Sequence, residues 1–439
     1  MNVVSLQGRS SGRLSGGANP NVVAALDLGS TKICCMIAQL QPAKQRGGDI
    51  RQLLKIIGFG HTASRGIKAG AVVDVAQAEC AIRLAVDAAE RMAQVSIADV
   101  YVSVAGGRPQ SFCFSGQAAT QEGIVMPRDL EQAVASALAK VAIGKRSILH
   151  LNPINHVLDG IGEIENPIGL HGDVLQADIG VTSVEPNYLR NLNAAVERAH
   201  LRVAGYVVAP YAAAKACLNA DELKLGTFVI DMGGALTSIG CFKNGHLIAA
   251  DTVPLGGLHV THDIAQGLCT TIAHAERMKT MWGSVLPDGH DAREMLSVPL
   301  LGERGVDTIQ KVPKSYLTNI LRPRLEETFE LVRDQINAPV FAQPAGARVV
   351  LTGGGSQLTG VRELATSILG LHVRLGQSFK FAGLPEGASH AGFVGVTGTL
   401  SFAAKPDTYY AVPEQAAVSL QRAQMGYVRR VGQWLAEAF

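Results

Sequence analysis

Short apolar runs broken by glycine-rich turns are the first feature of the hydrophobic pattern. Residues 22–28 and 33–40 are two such runs, and the turn between them at 29–32 predicts a buried hairpin. A third strand is predicted near 53–59, and apolar residues at helical spacing predict a helix over 75–93. The same strand order returns about 200 residues later, at 226–231, 237–242 and 246–251. Two copies of one motif predict two related α/β lobes.

Between these copies the pattern changes to strand, strand, helix, strand and strand, which is typical of a small inserted α+β domain. We therefore expect nine parts along the chain. They are a disordered tail (1–21), the first lobe (22–94 and 178–225), the insert (95–177), the second lobe's core (226–262, and 346–403 with a return helix), its cap (263–345), a linker (404–420) and a terminal amphipathic helix (421–439).

Composition narrows the class of protein. With 47% hydrophobic and 17% charged residues, most of the 439-residue chain can bury a core. The net charge of +2 gives no general attraction to nucleic acid, so we expect no nucleic-acid partner. The seven cysteines form no Cys-x-x-Cys pair, which favours reduced thiols in a cytosolic protein. Neither a signal peptide nor a run of eighteen apolar residues is present in the sequence.

The first turn carries residue types that bind phosphate. A strand delivers Asp27, and Gly29 lets the backbone turn tightly. The hydroxyls and amides of Ser30 and Thr31 can hydrogen-bond a phosphate, and Lys32 adds a positive charge. Asp27 is a candidate ligand for hydrated Mg²⁺, which binds phosphates through few carboxylates. Alone this motif is weak, because similar turns occur in ordinary hairpins.

Two further glycine-rich turns follow later strands. The second turn consists of Asp231, Gly233, Gly234 and Thr237, and the third consists of Gly353, Gly354, Gly355 and Ser356. We expect the second turn to oppose the first across the phosphates, with Asp231 near the metal. The glycines of the third turn permit close approach of a nucleoside. Three such turns, each directly after an apolar strand, predict a cleft between two lobes that binds ATP with Mg²⁺.

Two other patterns do not support a site. Residues 58–63 match a dinucleotide-binding glycine pattern, but no helix follows them directly. His259 and His262 lie one helical turn apart without a third metal ligand, so ordinary histidines are the better interpretation. The sequence contains no Walker A motif, which disfavours a P-loop enzyme.

The last residues, from about 424 to 439, form an amphipathic pattern. At about 100° per residue the apolar face collects Met425, Val428, Val431, Trp434, Leu435, Ala438 and Phe439, and the polar face collects Arg429, Arg430, Gln433 and Glu437. The segment is too short to span a bilayer, and its arginines suit a helix lying in an anionic lipid interface. A helix docked on its own fold or in a partner's groove is the alternative.

Longer matches outside the turns are more specific. They are HTASRG at 61–66, GAVVD at 70–74, NPIGLHG at 166–172, VPLGG at 253–257, DIA at 263–265 and VLTGGG at 350–355. Over residues 22–403 they resemble the FtsA family of bacterial cell-division homologues of actin, within the actin and Hsp70 superfamily.

The resemblance implies an actin-like, two-lobed ATPase fold with RNase-H-like sheets and a family-specific insert. It also implies a peripheral protein on the cytoplasmic face of the inner membrane at the division septum. Such a protein tethers polymers of the tubulin homologue FtsZ, forms actin-like filaments and recruits later division proteins. Carried over by position, the three turns contact the nucleotide and Mg²⁺, and Glu276 and Lys279 approach the ribose and adenine.

One departure from the family pattern concerns the second turn. The family's usual Asp-x-Gly-Gly-Gly-Thr has Ala235 and Leu236 in its last two places here. A hydrogen bond to a charged group is worth roughly 1.5–3 kcal/mol, so ATP affinity or hydrolysis suffers unless Thr237 replaces the lost hydroxyl. No general base can be assigned, so we expect at most a weak ATPase. The alternatives are a pilus-assembly actin homologue, which needs no terminal helix, and a small-molecule kinase with an aspartate base.

Overall fold

The computed structural model describes the chain over residues 21–41, 54–302, 309–341, 344 and 346–404. The predicted tail, apart from Asn21, and the predicted terminal helix lie outside the described residues, as does most of the predicted linker. None of the helices within these ranges is both long enough and apolar enough to cross a membrane.

A five-stranded sheet forms the centre of the first lobe. Its strands are β1 (Val22–Leu28), β2 (Lys32–Leu40), β3 (Leu54–Ala63), β6 (Asp99–Val104) and β10 (Arg202–Val208). The first three strands are antiparallel, and β6 and β10 extend the sheet in parallel on the other side of β1. The hairpin and third strand predicted at the start of the chain are therefore confirmed. A small hairpin, β4 (Ile67–Lys68) and β5 (Ala71–Val72), follows β3.

Helices pack on this sheet. They are α1 (Val75–Ala93), α3 (Pro186–Arg198), α4 (Ala209–Cys217) and α10 (Val394–Ala404). The N-cap residue Asp74 accepts a hydrogen bond from the Gln77 N–H at 3.0 Å, which starts α1. A Cβ at Gly58 or Gly60 would clash with backbone oxygens of α1, so glycine permits the close contact of this helix with β3. The glycine pattern at 58–63 thus serves helix packing.

The second lobe repeats the sheet of the first. Its strands are β11 (Thr227–Met232), β12 (Thr237–Lys243), β13 (His246–Val253), β16 (Arg348–Thr352) and β17 (His372–Leu375). The order β13-β12-β11-β16-β17 mirrors β3-β2-β1-β6-β10, with the same parallel and antiparallel pairs. The repeat predicted from the sequence is therefore confirmed, and α5 (Ala220–Leu225) leads into it.

A helical cap covers the second sheet. It comprises α6 (Gly257–Gly267), α7 (Ile272–Trp282) and α8 (Lys314–Ile336), with the hairpin β14 (Met295–Pro299) and β15 (Ile309–Pro313). Arg324 on α8 holds Asp263 on α6 through two hydrogen bonds of 2.6 and 3.1 Å. Helix α9 (Val361–Leu369) returns to the sheet between β16 and β17. The 3₁₀ turns are Pro339–Phe341, Gly354–Gln357, Glu386–Ala388 and Ala391–Phe393.

The insert is a three-stranded antiparallel sheet with one helix. Its elements are β7 (Gln110–Ala119), α2 (Pro127–Ala139), β8 (Ser147–Leu158) and β9 (Val174–Val184). The insert begins and ends at residues that differ from its predicted limits of 95–177. Strand β6 lies in the first lobe, where Val100, Val102 and Val104 are fully buried, as expected for an interior parallel strand. At the other end, β9 continues to Val184.

The insert also contacts the second lobe. The Ala250 N–H on β13 donates to Ser111 Oγ at 2.8 Å, and Asn152 Nδ2 donates to the Leu247 oxygen at 3.2 Å. Glu163 forms an ion pair with Lys243 at 2.6 Å near the β12–β13 turn. The insert is connected along the chain to the first lobe and also contacts the second lobe.

Candidate functional site

A cleft of about 670 Å³ lies between the lobes and is lined by residues of all three glycine-rich turns. This volume lies within the usual range of about 300–1,000 Å³ for small-molecule sites. The cleft follows from the repeated topology, because β1 and β11 each end at a turn on the same side of the molecule. The residues between these strand ends decide what the cleft can bind.

The first turn joins β1 to β2 and is held by the neighbouring hairpin. The Gly70 N–H donates to Ser30 Oγ at 3.0 Å, and the Ser64 N–H donates to the Thr31 oxygen at 3.0 Å. A Cβ at Gly29 would lie 2.8 Å from the Lys32 oxygen, so the turn closes tightly only with glycine. These bonds fix the turn before any ligand is present.

Asp27 and Lys32 lie at the floor of the cleft and influence each other. Asp27 pairs with Ser103 on β6, and the Ser103 side chain hydrogen-bonds the Asp27 carboxyl. Burial raises the pKa of Asp27, an effect that the Lys32 charge opposes. Burial lowers the pKa of Lys32, and the neighbouring Cys34 thiol and the carboxyls of Asp27 and Asp231 oppose that shift. Asp27 and Lys32 thus place a group that can bind a cation close to a group that can bind an anion.

The second turn has the same backbone form and faces the first. A Cβ at Gly233 would lie 2.8 Å from the Leu236 oxygen, as at the first turn. A Cβ at Gly234 would lie 2.5 Å from Thr31 Cγ2, so the two turns meet across the cleft. Burial raises the pKa of Asp231 to about 7, and the negative charge of Asp27 adds to the shift. Asp27 and Asp231 both line the cleft.

The third turn stands against Asp231. Strand β16 pairs with β11 up to Thr352 opposite Asp231, and Gly353 follows with a φ of 85°. A Cβ at Gly353 would clash with Asp231 Oδ1, so this position requires glycine for both its conformation and its space. Gly354 and Gly355 also line the cleft.

Two predicted contact residues point elsewhere. Thr237 is fully buried and its hydroxyl donates to the Leu255 oxygen at 2.8 Å. Ser356 is 2% exposed and its hydroxyl donates to the Gly353 oxygen at 2.8 Å. Neither residue belongs to the cleft lining, and both hydroxyls hold the turns in shape. The lost hydroxyl of the second turn is thus not replaced by Thr237.

Glu276 and Lys279 on α7 line the other end of the cleft. Lys279 Nζ donates to Glu276 Oε2 at 2.7 Å, to Thr261 Oγ1 at 2.8 Å and to the Gly257 oxygen at 2.9 Å. The lysine is nearly buried, whereas Glu276 keeps 47% of its side chain exposed. The geometry therefore makes Glu276 the more accessible group for a ligand, with Lys279 fixing its direction.

The structure adds lining residues that the sequence pattern did not reveal. Ser103 and Ser238 sit beside the two aspartates, at equivalent ends of the two sheets. Gly392 and Gly395, at the start of α10, also line the cleft. A Cβ at Gly395 would lie 3.1 Å from Asp27 Oδ2, and one at Gly392 would lie 2.8 Å from Lys32 Nζ. The only sequence signal for this wall is a pair of glycines, one just before the apolar helix α10 and one in its first turn.

The residues fit a nucleotide with its metal ion. Two carboxylates, a lysine and several glycines that permit close approach converge between the turns. Within the described ranges, no group of three His, Cys, Asp or Glu side chains could hold a metal ion by itself. A Mg²⁺ ion at Asp27 and Asp231 would complete its shell with water and phosphate oxygens, which is its usual behaviour.

Comparisons with known proteins agree with this architecture. The family model for "Cell division protein FtsA" matches residues 228–398, and that for "SHS2 domain inserted in FTSA" matches 106–183. The cell division protein FtsA of Agrobacterium fabrum is 41% identical over 422 residues, covering 95% of each chain. The FtsA protein of Rhizobium meliloti is 42% identical over 424 residues, again covering 95% of each. That of Escherichia coli K12 is 27% identical and covers 95% of this chain and 98% of the relative.

Solved structures show the same fold at low identity. A PilM–PilN type IV pilus biogenesis complex has a TM-score of 0.58 at 16% identity, covering 88% of this chain and 99% of that one. MreB5 of Spiroplasma citri bound to ADP has a TM-score of 0.51 at 14% identity, with 92% and 99% covered. The predicted fold class, an actin-like two-lobed α/β architecture with a small inserted α+β domain, is confirmed.

Proposed function

The chain belongs to the FtsA family of cell-division proteins, and on that premise we propose that it is a nucleotide-dependent scaffold that ties FtsZ polymers to the inner membrane. The proposal has three parts: a Mg²⁺–ATP site in the cleft, a lipid-binding helix at the end of the chain, and surfaces for protein partners. Each part rests on different residues and is tested separately.

The nucleotide site rests on one observation above the others. Asp27 and Asp231 lie at equivalent positions near the ends of β1 and β11, and both line the one cleft between the lobes. In the proposed complex these carboxylates hold Mg²⁺, directly or through its water. The triphosphate lies between the first and second turns, and Lys32 contributes a positive charge. When bound, Mg²⁺ neutralises phosphate charge and so lets both lobes approach the nucleotide.

The nucleoside end of the site uses different groups. In our proposal Gly353, Gly354 and Gly355 back the nucleoside, because they leave the cleft wall without side chains. Glu276 and Lys279 approach the ribose and adenine from α7. Leu236 places no hydroxyl at the phosphates, so we propose that occupancy of the site by ATP matters more than hydrolysis.

Membrane binding is assigned to the terminal helix, which lies outside the described residues. The sequence places apolar side chains on one face and arginines on the other. The proposed lipid contacts are Met425, Val428, Arg429, Arg430, Val431, Trp434, Leu435 and Phe439. Such a helix binds an anionic bilayer surface by burying its apolar face and pairing its cations with lipid headgroups.

The proposed partners follow from family membership. We propose that the chain binds FtsZ, associates with itself into actin-like filaments and recruits later division proteins at the septum. In this arrangement the helix supplies the membrane contact and the folded lobes supply the protein contacts. The chain would therefore act as a peripheral protein on the cytoplasmic face of the inner membrane.

Calorimetric titration with ATP tests the first part. We expect saturable ATP binding at one site in the presence of Mg²⁺, and much weaker binding after the metal is removed with EDTA. Asp231→Asn should weaken the metal-dependent part of the affinity, whereas binding of adenosine alone should change little. Equal ATP affinity with and without Mg²⁺ would contradict the metal assignment, and no ATP binding would contradict the site.

Flotation with anionic liposomes tests the second and third parts. We expect the full chain to float with the vesicles, and Trp434→Asp with Phe439→Asp to remain in solution. Gln433→Asp with Gly426→Asp is the matched control, because it adds the same two charges on the polar side of the helix.

FtsZ from the same organism is then added to the vesicles. We expect it to float only with a chain that binds membrane. Flotation of the Trp434 and Phe439 double variant at the normal level would contradict the membrane helix. Membrane binding without co-flotation of FtsZ would contradict the tether.

A further inference from the structure

The first turn ends in a lysine that contacts an aromatic ring from the far end of the described chain. Lys32 Nζ lies 3.6 Å from the centroid of the Phe393 ring. This distance is well within the limit of about 6 Å for a cation–π interaction. The contact joins the phosphate turn of β1–β2 to the segment that starts α10.

The Phe393 ring is held in a fixed place. It is 5% exposed and packs edge-on to Phe59, with centroids 5.2 Å apart and planes at 82°. His61 and His390 approach the same ring at 5.6 and 4.8 Å. A ring surrounded in this way has little freedom, so it presents a constant face to the lysine.

The backbone beside Phe393 leaves room for the ammonium group. A Cβ at Gly392 would lie 2.8 Å from Lys32 Nζ, so a side chain there would displace the cation. The Phe393 N–H donates to the His390 oxygen at 3.0 Å, which closes the 3₁₀ turn Ala391–Phe393. The lysine therefore lies between a glycine and a ring whose positions are set by one short turn.

The contact with Phe393 matters because the long side chain of a lysine is otherwise poorly ordered. Fixing a long side chain on binding costs conformational entropy, and a group already held in place avoids much of that cost. The negative face of an aromatic ring attracts the lysine ammonium group and so favours this position of the side chain. The ring thus keeps the lysine ordered beside the phosphate turn.

We propose that Phe393 is a positioning residue that holds the Lys32 ammonium group for the phosphates of the bound nucleotide. The inference rests on the proposed nucleotide site and extends it to a buried residue behind the cleft lining, in the 3₁₀ turn that precedes α10. Phe393 acts through Lys32, so its effect depends on the number of phosphates that Lys32 can contact. Loss of the ring should therefore weaken the binding of ATP and leave the binding of adenosine unchanged.

The test measures the Kd of Mg²⁺–ATP and of adenosine by calorimetric or competition titration. Phe393→Leu removes the ring and keeps an apolar side chain, and Phe393→Tyr keeps the ring. Phe402→Leu is the matched control, because Phe402 lies on α10 against Tyr101 and Tyr211, away from Lys32. Thermal unfolding of each variant confirms that it is folded.

We expect Phe393→Leu to weaken Mg²⁺–ATP binding about threefold to thirtyfold, the range of known cation–π contributions. Adenosine binding should stay within about twofold, and Phe393→Tyr and Phe402→Leu should match the unsubstituted chain. In a Lys32→Met background, Phe393→Leu should produce no further loss of ATP affinity, because the cation is already absent.

Several results would overturn the proposal. Equal losses for ATP and adenosine would show that Phe393 only supports the fold. A full loss in the Lys32→Met background, or normal ATP affinity for Phe393→Leu, would show that the ring does not act through the lysine. Absence of ATP binding by the unsubstituted chain is a separate outcome, which contradicts the nucleotide site itself.

Discussion

The turn at 29–32 in the first lobe and the turn at 233–236 in the second have the same backbone form and different chemistry. In the hairpin registers, Leu28 pairs with Ile33 and Met232 pairs with Thr237, so each turn has four residues. The Cβ clearance of 2.8 Å at the first glycine is the same in both. The fold therefore repeats the backbone of the turn, and the side chains give each copy a different role.

The last position of each turn shows the division most clearly. Lys32 occupies it in the first lobe and lies over the Phe393 ring. Leu236 occupies it in the second lobe, where its Cδ1 would lie 2.9 Å from a Cβ at Gly70. The first turn therefore supplies the cation, and the second supplies an apolar contact between the lobes. The Gly70 N–H also donates a hydrogen bond to Ser30 Oγ, so the contact between Leu236 and Gly70 links the second turn to the first.

The largest expected effect comes from removing the cation. Lys32→Met should weaken Mg²⁺–ATP binding about tenfold to 150-fold, since a hydrogen bond to a charged group contributes roughly 1.5–3 kcal/mol. The matched change at the equivalent position, Leu236→Met, should alter the Kd by less than about threefold, because it keeps an apolar side chain of similar volume. Titration calorimetry measures both. Similar losses for the two variants would remove the distinction between the turns.

A second prediction concerns the glycine that stands against Asp231. Gly353→Ala should lower the free energy of unfolding by about 1–3 kcal/mol and weaken ATP binding, because its φ of 85° and the contact with Asp231 Oδ1 both exclude a Cβ. Gly354→Ala is the control, since a Cβ there would meet nothing within 4 Å. Denaturant unfolding decides the point, and equal stability of both variants would contradict the account.

A third change restores the hydroxyl that the second turn lacks. Leu236→Thr should strengthen Mg²⁺–ATP binding about threefold to tenfold, because a phosphate donor returns at the cost of an apolar contact. Leu236→Val has the same shape without the hydroxyl, so it should not show the gain. If valine and threonine give the same Kd, the hydroxyl has no phosphate partner at this position.

The smallest expected effect on binding is at Thr237. Thr237→Val removes the hydrogen bond to the Leu255 oxygen and should cost about 1 kcal/mol of stability while leaving the Kd for ATP within about twofold. Thermal unfolding and titration of the same sample separate the two effects. A large loss of ATP affinity with normal stability would show that Thr237 contacts the phosphates after all.

Thr237 is also a residue whose orientation could not be predicted from the sequence. The strand, turn and strand order in both lobes and the positions of Asp27 and Asp231 follow from local patterns, and the structure confirms those elements. Successive strand residues point to opposite faces, so a one-residue difference in turn length decides whether Thr237 or Ser238 faces the cleft. The structure places Ser238 there.

The start of α10 could not be predicted for another reason. Gly392, Phe393 and Gly395 lie more than 350 residues from Lys32 along the chain, and only tertiary packing brings them together. Likewise, no local pattern assigns strand β6 to the first lobe or to the insert, and its place between β1 and β10 emerges only from the strand pairing. Long-range contacts of this kind leave no local pattern in one sequence.

A structure of the chain with Mg²⁺ and a non-hydrolysable ATP analogue is the most direct test. We expect one metal ion flanked by Asp27 and Asp231, phosphates between residues 29–32 and 233–236, and Lys32 in contact with both a phosphate oxygen and the Phe393 ring. A nucleotide bound elsewhere, or a metal ion that neither aspartate approaches, would contradict this expectation.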